Sequence, residues 1–113
     1  MQVEKSLSSN VTILSVSGRV DSGNAKDFEK SILPEVSGAN NGLIIDGGSL
    51  EYISSAGLRV ILMVAKSAQQ SDTPFAVCAL NDEIVELFSI TGFDAIITLE
   101  PTIEGALAKF NTG

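Results

Sequence analysis

Two adjacent serines, Ser54 and Ser55, stand at the head of a long apolar helical pattern and are followed by the small residues Ala56 and Gly57. Serine at a helix start has two readings that share one physical basis. Its oxygen can accept from an unpaired backbone N–H of the first turn, an N-cap worth about 1 kcal/mol. The same free N–H groups and the positive end of the helix dipole would stabilise a phosphate attached there, so an exposed hydroxyl beside small residues suits a kinase substrate. The other candidates are carboxylates and one thiol. Asp21, Asp46 and Asp94 fall near predicted strand or turn ends, where open α/β sheets place ligands, but aspartate is also ordinary turn chemistry. Gly47-Gly48-Ser49 follows a strand yet lacks the Gly-Lys-Ser/Thr ending of a phosphate loop. Cys78, inside an apolar run, reads as a small buried hydrophobe rather than a nucleophile.

Composition removes most catalytic alternatives. The 113 residues contain no histidine, no tryptophan and one cysteine. Ser-His-Asp and Cys-His pairs, His-bearing metal sites, internal disulfides and multi-thiolate clusters are therefore outside this chain's means, and no metal, cofactor or enzymatic activity is expected. A paired-carboxylate hydrolase would need aromatic platforms, and Tyr52 is the only tyrosine. Seven basic residues against fourteen acidic ones, a net charge of −7, disfavour nucleic acid and acidic membranes as partners. No apolar run exceeds six residues, far short of the roughly 20 that span a bilayer. The first residues, MQVEKSLSSN, lack the basic-then-apolar order of a secretory signal, so a cytoplasmic address is expected.

These residues must be positioned by elements legible from periodicity. Val3 to Val20 alternates around Ser8-Ser9-Asn10 and predicts a β-hairpin. After Gly18 to Asn24, with Asn24 or Ser22 as cap, the spacing of Ala25, Phe28, Ile32 and Val36 predicts a helix. Asn40-Asn41-Gly42 turns into Leu43 to Asp46, apolar on both faces and hence a central strand ending at the aspartate. Ser55 to Gln70 predicts a second helix, buried through Leu58, Ile61, Leu62, Ala65 and Ala68 and widened by Val60, Met63 and Val64. Phe75 to Leu80 is a third buried strand. Asn81 caps a short helix carrying Ile84, Val85, Leu87 and Phe88 that stops at Gly92. Ala95 to Leu99 is expected as a last strand, and Pro101 in the first turn of a final helix faced by Ile103, Ala106, Leu107 and Phe110. The order ββαβαβαβα, four helices in all, predicts an α/β fold: one domain over 1–113, its mixed, mostly parallel sheet edged by the N-terminal hairpin.

The segments GRVDSGNAKDFE at 18 to 29 and LIIDGGSLEYISSAGLRVIL at 43 to 62, with a later helix ending in TGF at 91 to 93, resemble the STAS domains of anti-sigma factor antagonists over essentially the whole chain. The resemblance implies a partner-switching module. The unphosphorylated form binds an anti-sigma factor that is also a serine kinase of the GHKL ATPase type, freeing a sigma factor or another client. Phosphorylation releases the complex, and a PP2C-type phosphatase reverses it. The family's Asp-Ser-Ser-Gly run, aligned on Gly57, puts the acceptor at Ser55, with Ala56 at the second serine. Ser54, where aspartate is common, is the second choice. Asp21 and Asp46 match acidic residues expected to border the serine. Asp21, Ser22, Asp46, Tyr52, Ile53, Ser54, Ala56, Gly57 and Arg59 are then the expected docking surface.

Two other classes fit the same residues. In a nucleotide-binding sensor, Gly47 to Ser49 and the strand ends would form the pocket, though without a phosphate-loop lysine. In a structural STAS subunit of a transporter or scaffold, the serine pair would only cap the helix. The surplus of acidic residues predicts steering toward a basic partner surface, weakened by salt.

Overall fold

A computed structural model describes residues 1–111. Strands β1 (Gln2–Ser8) and β2 (Val11–Val20) form the expected hairpin. Its two loop residues, Ser9 and Asn10, have φ of 51° and 67°, the left-handed geometry that two-residue hairpin turns require. Strands β3 (Leu43–Ile53), β4 (Phe75–Cys78) and β5 (Leu99–Glu100) follow in parallel, so the sheet runs β1-β2-β3-β4-β5 with one antiparallel pair at its edge. Because spatial order repeats chain order, the three crossover helices α1 (Ala25–Ile32), α2 (Ser55–Gln70) and α3 (Asp82–Thr91) cover one face. Phe28, Ile61, Val64 and Phe88 pack there on Leu14, Val16, Ile45 and Val77. The last helix, α4 (Ile103–Asn111), lies on the opposite face, where Ala106, Ile103, Leu107 and Phe110 meet Val11, Ile13, Ile44, Ala76 and Cys78.

Several boundaries differ from expectation for identifiable reasons. The first helix stops at Ile32, and Leu33–Gly38 tightens into a 3₁₀ turn at Pro34, whose ring has no N–H to continue an α-helix. Val36 stays buried nonetheless. Asn24 precedes α1 without capping it through its side chain, which instead accepts from Asp21 N and donates to the Arg19 carbonyl; Ser22 is exposed in the turn. The central strand does not end at Asp46 but continues to Ile53, drawn through the two glycines by its pairing with β2. β4 ends at Cys78 because Ala79 turns to φ 62°.

The expected strand at Ala95 to Leu99 is a 3₁₀ turn, Phe93–Ala95, followed by a two-residue strand. The short β4 offers it only Val77 and Cys78 as partners. Pro101 lies ahead of α4, whose first turn is capped by Thr102 Oγ1 accepting from Gly105 N at 3.0 Å. Of the apolar residues that α3 carries, Ile84 and Phe88 are buried while Val85 is 40% exposed. The limits of α2 and the α3 cap are as expected: Asn81 Oδ1 accepts from Ile84 N at 2.9 Å, and Gly92 closes α3 at φ 78°.

Candidate docking site around Ser55

The site is built where β2 and β3 end side by side. Their register pairs Arg19 with Tyr52 and Val20 with Ile53. One further bond, from Ser54 N to the Val20 carbonyl at 2.8 Å, ties the start of α2 to the end of β2. Asp21 follows Val20 and Ser55 follows Ser54, so this single bond brings the β2–α1 turn against the first turn of α2. Within the turn, Asp21 Oδ1 accepts from Gly23 N at 2.9 Å and from Asn24 N at 3.2 Å. The carboxylate therefore shapes its own loop while remaining exposed.

The two serines divide the two roles their position allows. Ser54 is the N-cap: its backbone is extended, with φ −86° and ψ 173°, and its Oγ accepts from Gly57 N at 3.3 Å. Ser55 is the first helical residue and is exposed, and its hydroxyl makes no hydrogen bond among the described residues. Capping thus takes up one serine and leaves the other chemically available.

Gly57 has a different use from the one its small size suggested. It is buried, and a Cβ there would stand 2.6 Å from Ile53 Cγ1 and 2.8 Å from Val20 Cγ1. Its missing side chain lets α2 sit directly on the ends of both strands. Ile53 is 1% exposed, so Ile53 and Gly57 support the surface from beneath. Ser22, Tyr52, Ser55 and Arg59 are exposed, and Ala56 is half-buried against the core. Arg19, not anticipated from the sequence, lays its guanidinium over the Tyr52 ring at 4.5 Å from the centroid, a cation–π contact. Only the parallel register places Arg19 beside Tyr52; their sequence separation carries no such signal.

Asp46 does not border Ser55. It sits within β3, paired with Ser15 and Cys78, and accepts from Gly48 N at 2.9 Å. Seven further strand residues, at about 3.3 Å each, carry the chain roughly 20 Å before the helix begins. Two β-bulges lie in that stretch, where β3 advances three residues against two of β2 (Asp46 to Ser49) and then two against one (Leu50 to Tyr52). Asp46 instead lines a shallow polar depression of about 240 Å³ with Glu4, Ser15, Ser17 and Ser49. That depression holds two carboxylates and no basic side chain, an environment that repels a nucleotide's phosphates. Asp94 is exposed in the turn after α3, away from the serine. Burial, with smaller contributions from Asp46, Glu104 and Glu100, pushes the Cys78 thiol up to about 12, so it stays protonated and unreactive at neutral pH. Among the described residues no group of three or more His, Cys, Asp or Glu could hold a metal ion, and no helix is long and apolar enough to cross a membrane.

A five-stranded mixed sheet with three helices on one face, one on the other, and a capped serine pair opening the second helix defines the class of protein. This chain belongs to the STAS domain family, whose profile matches residues 2–106. It is 38% identical over 100 residues to BtrV of Bordetella bronchiseptica, a protein named as an anti-sigma factor antagonist, covering 88% of this chain and 86% of that one. Among solved structures, an anti-sigma factor antagonist from Mycobacterium paratuberculosis superposes with a TM-score of 0.90 at 26% identity, over 97% of this chain and 93% of that one. One from Thermotoga maritima gives 0.89 at 25% identity, over 96% and 94%.

Proposed function

We propose that this protein is an anti-sigma factor antagonist acting by partner switching in the cytoplasm. The observation that carries the reading is the division of labour at the start of α2, where Ser54 is engaged as the cap while Ser55 is exposed and unbonded. Unphosphorylated, the surface around Ser55, Tyr52, Asp21 and Arg59 docks an anti-sigma factor that is also a serine kinase of the GHKL ATPase type. The kinase moves the γ-phosphoryl group of ATP to Ser55 Oγ, the hydroxyl proton is lost and ADP leaves. A PP2C-type phosphatase then hydrolyses the ester. The relatives' shared description as anti-sigma factor antagonists supports this partner class.

The switch needs only local charge. A phosphoserine brings about −1.5 to −2 charge to the middle of the docking face. Against a desolvating partner, a coupling of about 3 kcal/mol changes affinity more than a hundredfold. The structural-subunit alternative would leave Ser55 unmodified, and a nucleotide sensor would show binding in a direct titration with GTP and ATP. Ser55→Asp is expected to abolish kinase binding, and Ser55→Ala to block phosphorylation while preserving binding. Pull-down of the kinase followed by phosphosite mapping checks both, and phosphate on a distant serine would sink the assignment.

A further inference from the structure

The chain contains only two arginines, Arg19 and Arg59; Arg19 is paired with Tyr52 near the ends of β2 and β3 and Arg59 is one turn into α2, so both lie near Ser55. They are not equivalent. Arg19 is committed to the Tyr52 ring. Arg59 is exposed on α2 and, among the described residues, enters no ion pair. It stands four residues after Ser55, one helical turn further on, so the two share a face with Cβ atoms about 5–6 Å apart. Long side chains on a helix lean back toward its N-terminus, which carries the Arg59 guanidinium toward the serine. The surroundings favour it further. From Ser55 to Gln70, α2 contains no acidic residue, its only charges being Arg59 and Lys66. α1, packed alongside, carries Lys26 and Lys30 against Asp27 and Glu29 and so sums to zero. Asp21, in the adjoining turn, and Glu51, exposed near the end of β3, are the acidic groups on the two elements that meet the start of α2.

We infer that Arg59 is the intramolecular counter-ion of a phosphate on Ser55, an arginine free for the partner in the unmodified protein and withdrawn from it by phosphorylation. This rests on Ser55 as the acceptor and deepens that reading. Guanidinium is suited to the task because its planar fork can meet two phosphate oxygens at once. Modification then acts twice: it adds negative charge at the docking surface and removes the one uncommitted arginine from it.

The test uses full-length protein with phosphoserine installed at position 55 during translation, so that it does not depend on any kinase. The second ionisation of the phosphate is titrated by phosphorus-31 NMR. With Arg59 present, its midpoint is expected roughly 0.15 to 0.4 pH unit lower than in Arg59→Gln. Arg59→Lys should recover part of the difference. Lys66→Gln, removing an equal charge about 16 Å from Ser55 along the same helix, should leave the midpoint within 0.1 unit of the parent. An unchanged midpoint in Arg59→Gln, or an equal shift in Lys66→Gln, overturns the inference. Circular dichroism confirms that each variant is folded, as expected for substitutions at exposed positions. Whether Ser55 is the residue phosphorylated in cells is decided separately by phosphosite mapping, so failure of one idea is not confused with failure of the other.

Discussion

An added methyl at Gly57 would press on Ile53 Cγ1 and Val20 Cγ1, branch carbons of two fully buried side chains that cannot swing aside. Overpacking of this kind costs about 1–3 kcal/mol. Gly57→Ala is therefore expected to lower Tm by roughly 5 °C for each kcal/mol lost, read by thermal circular dichroism. Relief of the clash would lift the first turn of α2 off the strand ends and move Ser55, so kinase binding should weaken as well. A variant with unchanged Tm would show that α2 is not seated as described. The sequence marks Gly57 as small but not as buried. Its burial depends on where Val20, far away in the chain, comes to lie.

At the scale of elements, α2 is the part most fully legible beforehand. Its limits follow from the serine pair and the apolar stripe, because a helix start is a local problem of unpaired N–H groups. Ser54→Ala removes the bond to Gly57 N and should cost about 1 kcal/mol. That variant should still accept phosphate at Ser55, seen as one phosphate by intact mass; loss of phosphorylation would instead make Ser54 the acceptor. Strands were less legible. Gly47-Gly48 breaks the apolar run of β3, but strand pairing is decided by the neighbour, and β2 carries β3 seven residues past Asp46. β5 fails in the opposite sense, since the apolar pattern around Ile96 and Ile97 meets a partner strand too short to pair with it.

Across the whole molecule, charge is unevenly spread: a chain of net −7 presents an α2 free of acidic residues. Long-range steering follows the net charge and close contact follows the local one. Association with a kinase presenting a basic surface should slow as ionic strength rises from 0.1 to 1 M, where the Debye length falls from about 10 to about 3 Å. Stopped-flow mixing across that range measures the slope, and a rate that rises with salt would contradict the steering. Alternating strands and helices restrict the chain to few topologies, and the structure selects the one whose sheet order repeats chain order, with three helices on one face and one on the other.

What the residues determined by themselves was local or compositional: the helix stripes and caps, the hairpin, the α/β class, the absence of histidine chemistry and the serine pair at a helix start. Each depends on neighbours within a few positions or on no neighbours at all. Tertiary structure decided which serine is spent on capping, that Asp21 adjoins Ser55 while Asp46 does not, and that Arg19 is held by Tyr52. Those outcomes rest on the parallel register of β2 and β3 and on the bond from Ser54 N to the Val20 carbonyl. Register is set by burial on both faces of the sheet and by bulges, interactions between residues distant in the chain that no local pattern encodes.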